Sequence, residues 1–534
     1  MLFNPNLYRY PSRRMVVFTK NGMVCASTPQ AAQAGLETFM KGGNAIDAAI
    51  AAAATETVCE PCANGLGSDA FMIAWSQGKL HGLNASGPSP QKQTLKELKE
   101  KYTELPRTGW PVVNTPGAPA AWAALSEKLG RLPFAEVLKP AIRYAEHGYA
   151  VAPVMGSACQ SAYRNYRANH KGVEFQGWFD TFAPNNTPFA PGDLVQLPDH
   201  AKTLQLIADT KAEAFYRGEI ADKIVAFAQE TGGRLCLEDL GDYKPEWVDP
   251  VSINYHGYDI YEIPPNGQGI VALMALNILK GFNLPERENA ETYHLMIESL
   301  KLAFADGRKY ITDSRFMQVG VQDLLSDEYA AQRRSLIGQT AMTPEPGDPY
   351  SGGTIYLCAA DNEGNMISYI QSNYAGFGSG IVVPGTGIAL NNRGHNFTLN
   401  EEHVNVYAPG KRPYNTIIPG FMMKDGAPVG PFGVMGGFMQ PQGHLQMVVN
   451  TVNYAMNPQE SLDAPRFQWT ADKAVDVEQS VPLYVQQALS RRGHILSPKI
   501  EAGGFGRGQI IWLMENGALV GGTEPRTDGS IMCW

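Results

Sequence analysis

Apolar residues recur with helical spacing through much of the first 310 residues. The clearest case is Glu291–Tyr310, where apolar residues follow Tyr293 at three, four, seven and eleven positions and form one face of a predicted helix. Between Leu95 and Leu240 the same spacing is interrupted by proline and glycine. This pattern predicts several shorter helices, among them Pro119–Leu129 and Pro133–His147.

A helix start is predicted near Asn44. Gly42 and Gly43 form a turn before it, Asn44 is a suitable N-cap, and Asp47 stands three residues later in the position of a capping box. The following run, Ala48–Ala54, has small side chains on every side of the helix. We therefore expect this helix to be buried against other elements.

The segment Thr343–Gly353 changes the character of the chain. It contains three prolines and three glycines among eleven residues, which is typical of an exposed linker. The chain after it has the composition of strands, rich in β-branched and other apolar residues. Strands are predicted at Ile355–Ala360, Met366–Ser372, Gly420–Lys424 and Ile510–Met514.

The first two of these strands form a predicted hairpin. If Ala360 faces Met366 across a five-residue turn, counting outward in register places Thr354 opposite Ser372. A second hydroxyl would then stand beside a threonine at the start of a strand. Further along, the glycines of Gly433–Gly437 can present adjacent backbone N–H groups to an oxyanion.

Composition and charge favour a small molecule or a peptide as the substrate. The 534 residues carry a formal net charge of -9, and neither a block of lysine and arginine nor a phosphate-binding Walker pattern is present, which argues against nucleic acid. Cys59 and Cys62 form one Cys-x-x-Cys pair without a second pair at zinc spacing. A redox protein built on this pair is the less favoured alternative, and neither a metal site nor a cofactor is expected.

The sequence also gives an expectation for location. No stretch of about 18 uncharged apolar residues occurs, and the N-terminal residues lack the apolar run of a signal peptide. We therefore expect a cytoplasmic protein that does not associate with a membrane.

Several motifs, taken together, resemble the γ-glutamyltranspeptidase family. Residues 42–49, Gly-Gly-Asn-Ala-Ile-Asp-Ala-Ala, resemble a signature of that family, and the helix with His294-Leu295-Met296 and Ala303–Arg308 resembles one in its large subunit. The resemblance runs from about residue 20 to the C-terminus. Further motifs follow in the family's order: Asn391-Asn392, Lys411-Arg412-Pro413, Asp463–Phe467 and Glu524-Pro525-Arg526.

This resemblance implies a four-layer αββα sandwich of the N-terminal-nucleophile hydrolase type. The family cleaves its own precursor before a threonine, here between Gly353 and Thr354. The products would be a large subunit, 1–353, ending in the linker 343–353, and a small catalytic subunit, 354–534. The two intertwined fragments would remain associated with each other.

The resemblance also implies roles for individual residues. Thr354 would be the nucleophile, activated by its own α-amine. Ser372 would hydrogen-bond to it, and Gly436 and Gly437 would donate to the oxyanion. An acyl-enzyme would then pass its acyl group to water or to an amine, as in a γ-glutamyltransferase or glutathione hydrolase.

The residues that hold the γ-glutamyl group depart from the family pattern. Ser86 stands where the family has an arginine for the α-carboxylate, and Asn396 stands where it has an aspartate for the α-ammonium. Asn415-Thr416 replaces a pair of serines, and Tyr374 replaces an asparagine.

These departures leave several functions open. Arg393, three residues before Asn396, is a candidate to take over the carboxylate. The leading hypothesis is a γ-glutamyltransferase or glutathione hydrolase-like amidohydrolase. One alternative is a cephalosporin (glutaryl) acylase-type hydrolase without γ-glutamyl specificity, and another is a non-catalytic binding protein on the same fold.

Overall fold

Two seven-stranded sheets form the centre of the protein. The computed structural model describes residues 14–344 and 353–534, so most of the predicted linker lies outside the described residues. The strands are β1 (Val17–Thr19), β2 (Gly22–Ala26), β3 (Asp69–Ser76), β4 (Lys79–Ala85), β5 (Tyr149–Ala150), β6 (Leu194–Val195), β7 (Glu246–Val248), β8 (Val251–Tyr255), β9 (Tyr258–Glu262), β10 (Gly353–Asp361), β11 (Met366–Tyr374), β12 (Val382–Val383), β13 (Ile388–Ala389), β14 (Gly420–Lys424), β15 (Ala427–Met435), β16 (Phe467–Ala471), β17 (Ala474–Glu478), β18 (Ile495–Lys499), β19 (Arg507–Leu513), β20 (Leu519–Thr523) and β21 (Ser530–Cys533).

Helices flank the two sheets. The α-helices are α1 (Pro29–Met40), α2 (Ala45–Cys59), α3 (Leu95–Lys101), α4 (Ala118–Leu129), α5 (Phe134–His147), α6 (Pro153–Asn169), α7 (Gln176–Phe182), α8 (Pro198–Thr210), α9 (Glu213–Arg217), α10 (Glu219–Thr231), α11 (Leu237–Gly241), α12 (Gly269–Leu279), α13 (Ala290–Tyr310), α14 (Val321–Leu324), α15 (Asp327–Arg334), α16 (Met439–Val452), α17 (Pro458–Asp463) and α18 (Leu483–Arg491). Within the described residues, none of them is long and apolar enough to cross a membrane.

The two sheets differ in which parts of the chain they contain. Sheet I has the strand order β1-β20-β19-β15-β14-β9-β8, and sheet II has the order β21-β2-β10-β11-β3-β4-β7. Each sheet therefore combines strands from before and after residue 353. If the chain is cut at that point, both fragments remain part of both sheets.

Three apolar cores separate four layers. One core packs α1, α2, α4 and α5 against the outer face of sheet II. A second lies between the sheets, where Phe71 and Tyr356 of sheet II meet Phe421 of sheet I. A third packs α12, α13 and α16 against the outer face of sheet I. This arrangement confirms the predicted αββα sandwich.

The strongest local predictions are confirmed. The side chain of Asn44 accepts from the backbone N–H of Asp47, the Asp47 carboxylate accepts from the N–H of Asn44, and every residue of α2 is buried. The helices predicted at 119–129, 133–147 and 291–310 are present as α4, α5 and α13, with ends shifted by at most one residue.

The Cys59–Cys62 pair is part of the packed interior. All seven cysteines lie in the described part of the chain and carry free thiols. Burial raises the pKa of the Cys59 and Cys62 thiols well above the usual value, so both stay protonated. A protonated thiol is a poor nucleophile and a poor metal ligand, which favours a structural role.

A buried ion pair holds the chain shortly before the linker. Glu298 and Lys301, one turn apart on α13, are fully buried and lie 2.7 Å apart. Lys301 Nζ donates to the carbonyl of Met342, and Glu298 Oε2 accepts from the N–H of the same residue. Both polar backbone groups of Met342 are therefore fixed by side chains of one helix.

Residues from both sides of residue 353 contribute to the same region. His294 bonds the Gly338 carbonyl through Nε2, and its Nδ1 lies 2.9 Å from Nε2 of His494. The N–H of Ala341 donates to the carbonyl of Arg492. One ring nitrogen each of His294 and His494 and one carboxylate oxygen of Glu298 lie within 4.8 Å of one another, and the Lys301 ammonium lies 2.7 Å from Glu298.

Candidate active site

The β10–β11 hairpin brings Thr354 to Ser372. The predicted register, Ala360 opposite Met366, continues outward to Ile355 opposite Gln371. The two hydroxyl oxygens of Thr354 and Ser372 are 2.9 Å apart, and both side chains are fully buried. The predicted pairing of the two hydroxyls is therefore confirmed.

The register shifts at the start of β10. Gly353 pairs with Tyr374, so two residues of β11 oppose Thr354, as in a β-bulge. Ser372 Oγ accepts from the N–H of Tyr374 at 2.7 Å, and Tyr374 has a φ of +82°, a conformation that costs a non-glycine residue energy. The backbone irregularity lies beside the proposed cleavage bond.

Asp69 extends the row of polar side chains across sheet II. Ser372 pairs with Asp69 on β3, and the pairing of Ala70 with Ala85 places Asp69 next to Ser86 on the following strand. Residues paired in this way point to the same face of a sheet. Thr354 also lies on this face, which is turned toward sheet I. Sequence reasoning missed Asp69, although an acidic residue at the start of an apolar strand was a usable signal.

A buried network joins Asp69 to three predicted substrate-binding residues. Nε and Nη2 of Arg393 each donate to one Asp69 oxygen at 2.9 Å, and Asn415 Nδ2 donates to Oδ2 at 2.6 Å. Arg393 Nη1 donates to Thr416 Oγ1 at 2.8 Å. We call these four residues the Asp69 network. The charge of Arg393 is already balanced, so this arginine is not a free clamp for a carboxylate.

The other predicted substrate-binding residues are divided between the interior and a cleft. Ser86 is fully buried, and its hydroxyl donates to Asn84 Oδ1 at 2.7 Å. Tyr374, Asn396 and Phe438 line a cleft of about 700 Å³. The guanidinium carbon of Arg393 lies 4.9 Å from the centre of the Tyr374 ring, so Tyr374 adjoins both the Asp69 network and this cleft.

The glycine turn after β15, formed by Gly436 and Gly437, leads directly into the cleft that Tyr374 lines. Gly436 has a φ of +132° and Gly437 a φ of +60°, so the turn depends on conformations that favour glycine. The next residue, Phe438, lines the cleft with Tyr374. The carbonyl of Gly436 accepts from the N–H of Met439. The turn is therefore held in one conformation.

Gln268 connects this turn to the Asp69 network. Its Nε2 donates to the Gly437 carbonyl at 2.9 Å and to the Thr416 carbonyl at 2.7 Å. The Tyr414 hydroxyl donates to Oε1 of Gln268. Gln268 is fully buried, and its spacing in the sequence gave no signal of this role.

A buried histidine fixes the strand that leads into the turn. The N–H of Val434 donates to His444 Nε2 at 3.1 Å, so the Nδ1 atom carries the ring proton and donates to Glu262 Oε1 at 2.6 Å. Burial lowers the pKa of His444 to about 3, and burial raises the pKa of Glu262 well above its usual value. The second oxygen of Glu262 has no hydrogen-bond partner among the described residues.

Replacing Glu262 by glutamine should change how stability depends on pH. The stabilisation from protonated Glu262 is complete below about pH 4.3, the ordinary pKa, and is lost as the pH rises through the raised folded value. Glutamine imitates the protonated group, so the Tm should fall less between about pH 6 and pH 9 in Glu262→Gln than in the wild type. Thermal unfolding at both pH values measures this. Glu230→Gln, on the exposed face of α10, serves as the control, and an unchanged pH dependence in Glu262→Gln would contradict the prediction.

A family model and two curated proteins match this chain over most of its length. The family model described as Gamma-glutamyltranspeptidase matches residues 31–534. The Glutathione hydrolase-like YwrD proenzyme of Bacillus subtilis (strain 168) is 34% identical over 536 residues, which cover 97% of this chain and 99% of that protein. The Acylase ACY 1 proenzyme of Pseudomonas sp. (strain SE83) is 32% identical over 528 residues, covering 95% and 93%.

A solved structure is more similar still. Cephalosporin acylase from Bacillus halodurans superposes with a TM-score of 0.97 and is 55% identical, covering 100% of this chain and 99% of that one. The sequence and structural matches therefore extend over nearly all of the molecule, including both fragments of the predicted precursor. The chain belongs to the gamma-glutamyltranspeptidase family.

Proposed function

We propose that this enzyme is an amidohydrolase that cleaves itself between Gly353 and Thr354 and then uses Thr354 as its nucleophile. The observation that carries the proposal is the 2.9 Å contact between the hydroxyls of Thr354 and Ser372, beside the proposed cleavage bond. A non-catalytic binding protein is not favoured, because the hydroxyl pair and the glycine turn are both present.

In self-cleavage, the Thr354 hydroxyl oxygen attacks the carbonyl carbon of Gly353. The peptide C–N bond breaks as an ester forms, and the nitrogen takes up a proton to become the α-amine of Thr354. Water then hydrolyses the ester, which leaves a carboxylate on Gly353 and restores the threonine hydroxyl. The irregular pairing at this bond, with Tyr374 at positive φ, favours departure from a relaxed peptide geometry.

In turnover, the new α-amine acts as the base for its own hydroxyl. An α-amine has a reference pKa of about 7.7–8.0, so a useful fraction is unprotonated near neutral pH. The hydroxyl attacks the donor's amide carbonyl, the amine product leaves, and water or a second amine releases the acyl group. N–H groups of the Gly436–Gly437 turn stabilise the oxyanion of each tetrahedral intermediate.

The site favours a glutaryl-type acyl group over a γ-glutamyl group. An α-ammonium is held best by a negatively charged acceptor, but Asn396 offers only an uncharged amide oxygen, and both oxygens of Asp69 already accept from Arg393. Asn415 adds a third donor to Asp69. The similarity to the solved structure named cephalosporin acylase also supports the glutaryl-type group, the second candidate for the acyl donor.

Two experiments test the proposal. Mass spectrometry of purified protein should find fragments that end at Gly353 and begin at Thr354, and an intact chain after prolonged incubation at neutral pH would refute self-cleavage. The p-nitroanilides of glutaryl and γ-glutamyl groups, compared at equal concentration, test the acyl donor. Faster release from the glutaryl compound is expected, and the reverse order would restore the γ-glutamyl assignment.

Replacing Ser372 by alanine should slow both reactions without abolishing them. The substitution removes the hydroxyl that lies 2.9 Å from Thr354 and accepts from Tyr374. We expect kcat to fall by about 10- to 100-fold, the usual range for loss of one positioned hydrogen bond at an active site. Ser372→Thr keeps the hydroxyl and is the matched control. Rates equal to wild type in Ser372→Ala would exclude the proposed contact from the mechanism.

A further inference from the structure

A buried charge pair lies two strands away from the proposed nucleophile. The side chains of Asp69 and Arg393 are 2% and 1% exposed, and two parallel hydrogen bonds of 2.9 Å join them. Bidentate pairs of this kind have a fixed geometry. Because Asn415 donates to the same carboxylate and Thr416 accepts from the same guanidinium, the pair also fixes two polar side chains of the adjoining segment.

The position of this pair follows from the strand order. Thr354, Ser372 and Asp69 lie side by side on β10, β11 and β3. Neighbouring strands are about 4.8 Å apart, so Asp69 lies about 10 Å from Thr354 along the row. A short acyl chain on the Thr354 oxygen that follows the row would end near the Asp69 network. Charges that are this deeply buried are little screened by salt.

We propose that Asp69 determines acyl specificity by holding Arg393 in place and cancelling its charge. The inference rests on the proposed acyl-enzyme at Thr354. With both charges present, the acyl end meets the amide and hydroxyl groups of Asn415 and Thr416 in an environment without net charge. The site then accepts short acyl chains with a hydrogen-bonding end, whether carboxylate or amide. Asp69 is a positioning residue, since it acts through its partners.

The test compares two donors of equal length that differ in charge. Glutaryl p-nitroanilide carries one negative charge, and its terminal amide analogue carries none. The measured quantity is the ratio of kcat/KM for the charged donor to that for the neutral donor. Asp69→Asn leaves Arg393 uncompensated, so the ratio should rise about tenfold or more, and Arg393→Gln leaves Asp69 uncompensated, so it should fall by a similar factor.

The double variant separates electrostatics from structural damage. Asp69→Asn with Arg393→Gln restores neutrality, and its ratio should return to within about threefold of wild type. Damage to the fold would lower kcat/KM for both donors together and leave the ratio unchanged. Asp47→Asn is the matched control, because Asp47 is also fully buried but belongs to the capping box of α2. Equal ratios in the wild type, the two single variants at Asp69 and Arg393 and the double variant would overturn the proposal.

Variants that do not cleave themselves remain informative through binding. Calorimetric titration with glutarate and with glutaramide should give affinity ratios that change in the same directions, and unchanged ratios would again overturn the proposal. The outcome for the underlying function is distinct. A processed wild-type protein that hydrolyses neither anilide would refute the amidohydrolase proposal, whereas an active wild type without the opposing shifts would refute only the role of Asp69.

Discussion

Replacing Thr354 by alanine should leave one uncleaved chain with at least about a 10⁴-fold loss of amide hydrolysis, because the variant lacks the attacking oxygen in both reactions. Thr354 is fully buried beside Ser372, and alanine fits the same space without a clash. The fold should therefore be preserved. Denaturing gels and the rate of anilide hydrolysis measure the two effects, and thermal unfolding checks the fold.

Thr354→Ser is the matched control for this prediction. It retains a hydroxyl at the same position, so self-cleavage should continue, at a reduced rate. If Thr354→Ala were still cut at the same bond, the nucleophile of self-cleavage would have to be another residue. If the uncut variant hydrolysed anilides at the wild-type rate, neither the threonine nor its released amine would be needed.

Replacing Gly436 by alanine should lower kcat by about 10²- to 10³-fold, the usual effect of losing one oxyanion donor. A Cβ at this position would lie 3.2 Å from the Gly506 Cα and 3.3 Å from the Met439 Cβ, and the φ of +132° is unfavourable for alanine. The turn would have to shift, and its N–H groups would move with it. KM should change much less than kcat, because the oxyanion exists only during the reaction.

Gly517→Ala separates this effect from general strain. Gly517 has a φ of +83° in the turn between β19 and β20, and a Cβ there would contact nothing within 4 Å. The control should lose about 1 kcal/mol of stability and keep its kcat. Steady-state kinetics measure kcat and KM of both variants. An unchanged kcat in Gly436→Ala would remove the turn from the proposed mechanism.

The sequence predicted those parts of the fold that short-range signals determine. The capping box of Asn44 and Asp47 involves residues three positions apart, and the β10–β11 register follows from one short turn. These local interactions can be recognised without knowing the rest of the structure. Family resemblance supplied the layered architecture, which local patterns alone would not have given.

The parts that escaped prediction depend on contacts between distant residues. Asp69 meets Arg393 across 324 positions, and His444 meets Glu262 across 182. Gln268 bonds two carbonyl groups that lie more than 140 positions away. A residue such as Asp69, at the start of an apolar strand, can be noticed in a single sequence, but nothing in that sequence indicates which distant residue it will contact. The role of such pairs becomes visible only when the two sheets are placed face to face.

Both sheets contain strands from before and after residue 353, and this affects how the cleaved enzyme unfolds and loses its activity. Before cleavage, unfolding involves one molecule, but after cleavage at residue 353 it would also separate two chains that both contribute strands to sheets I and II. The apparent Tm of the cut enzyme should then rise with protein concentration, while that of the uncut chain should not. Refolding of the cut enzyme would require two unfolded chains to meet and interleave. Its working lifetime would therefore be set by the rate of its first unfolding event.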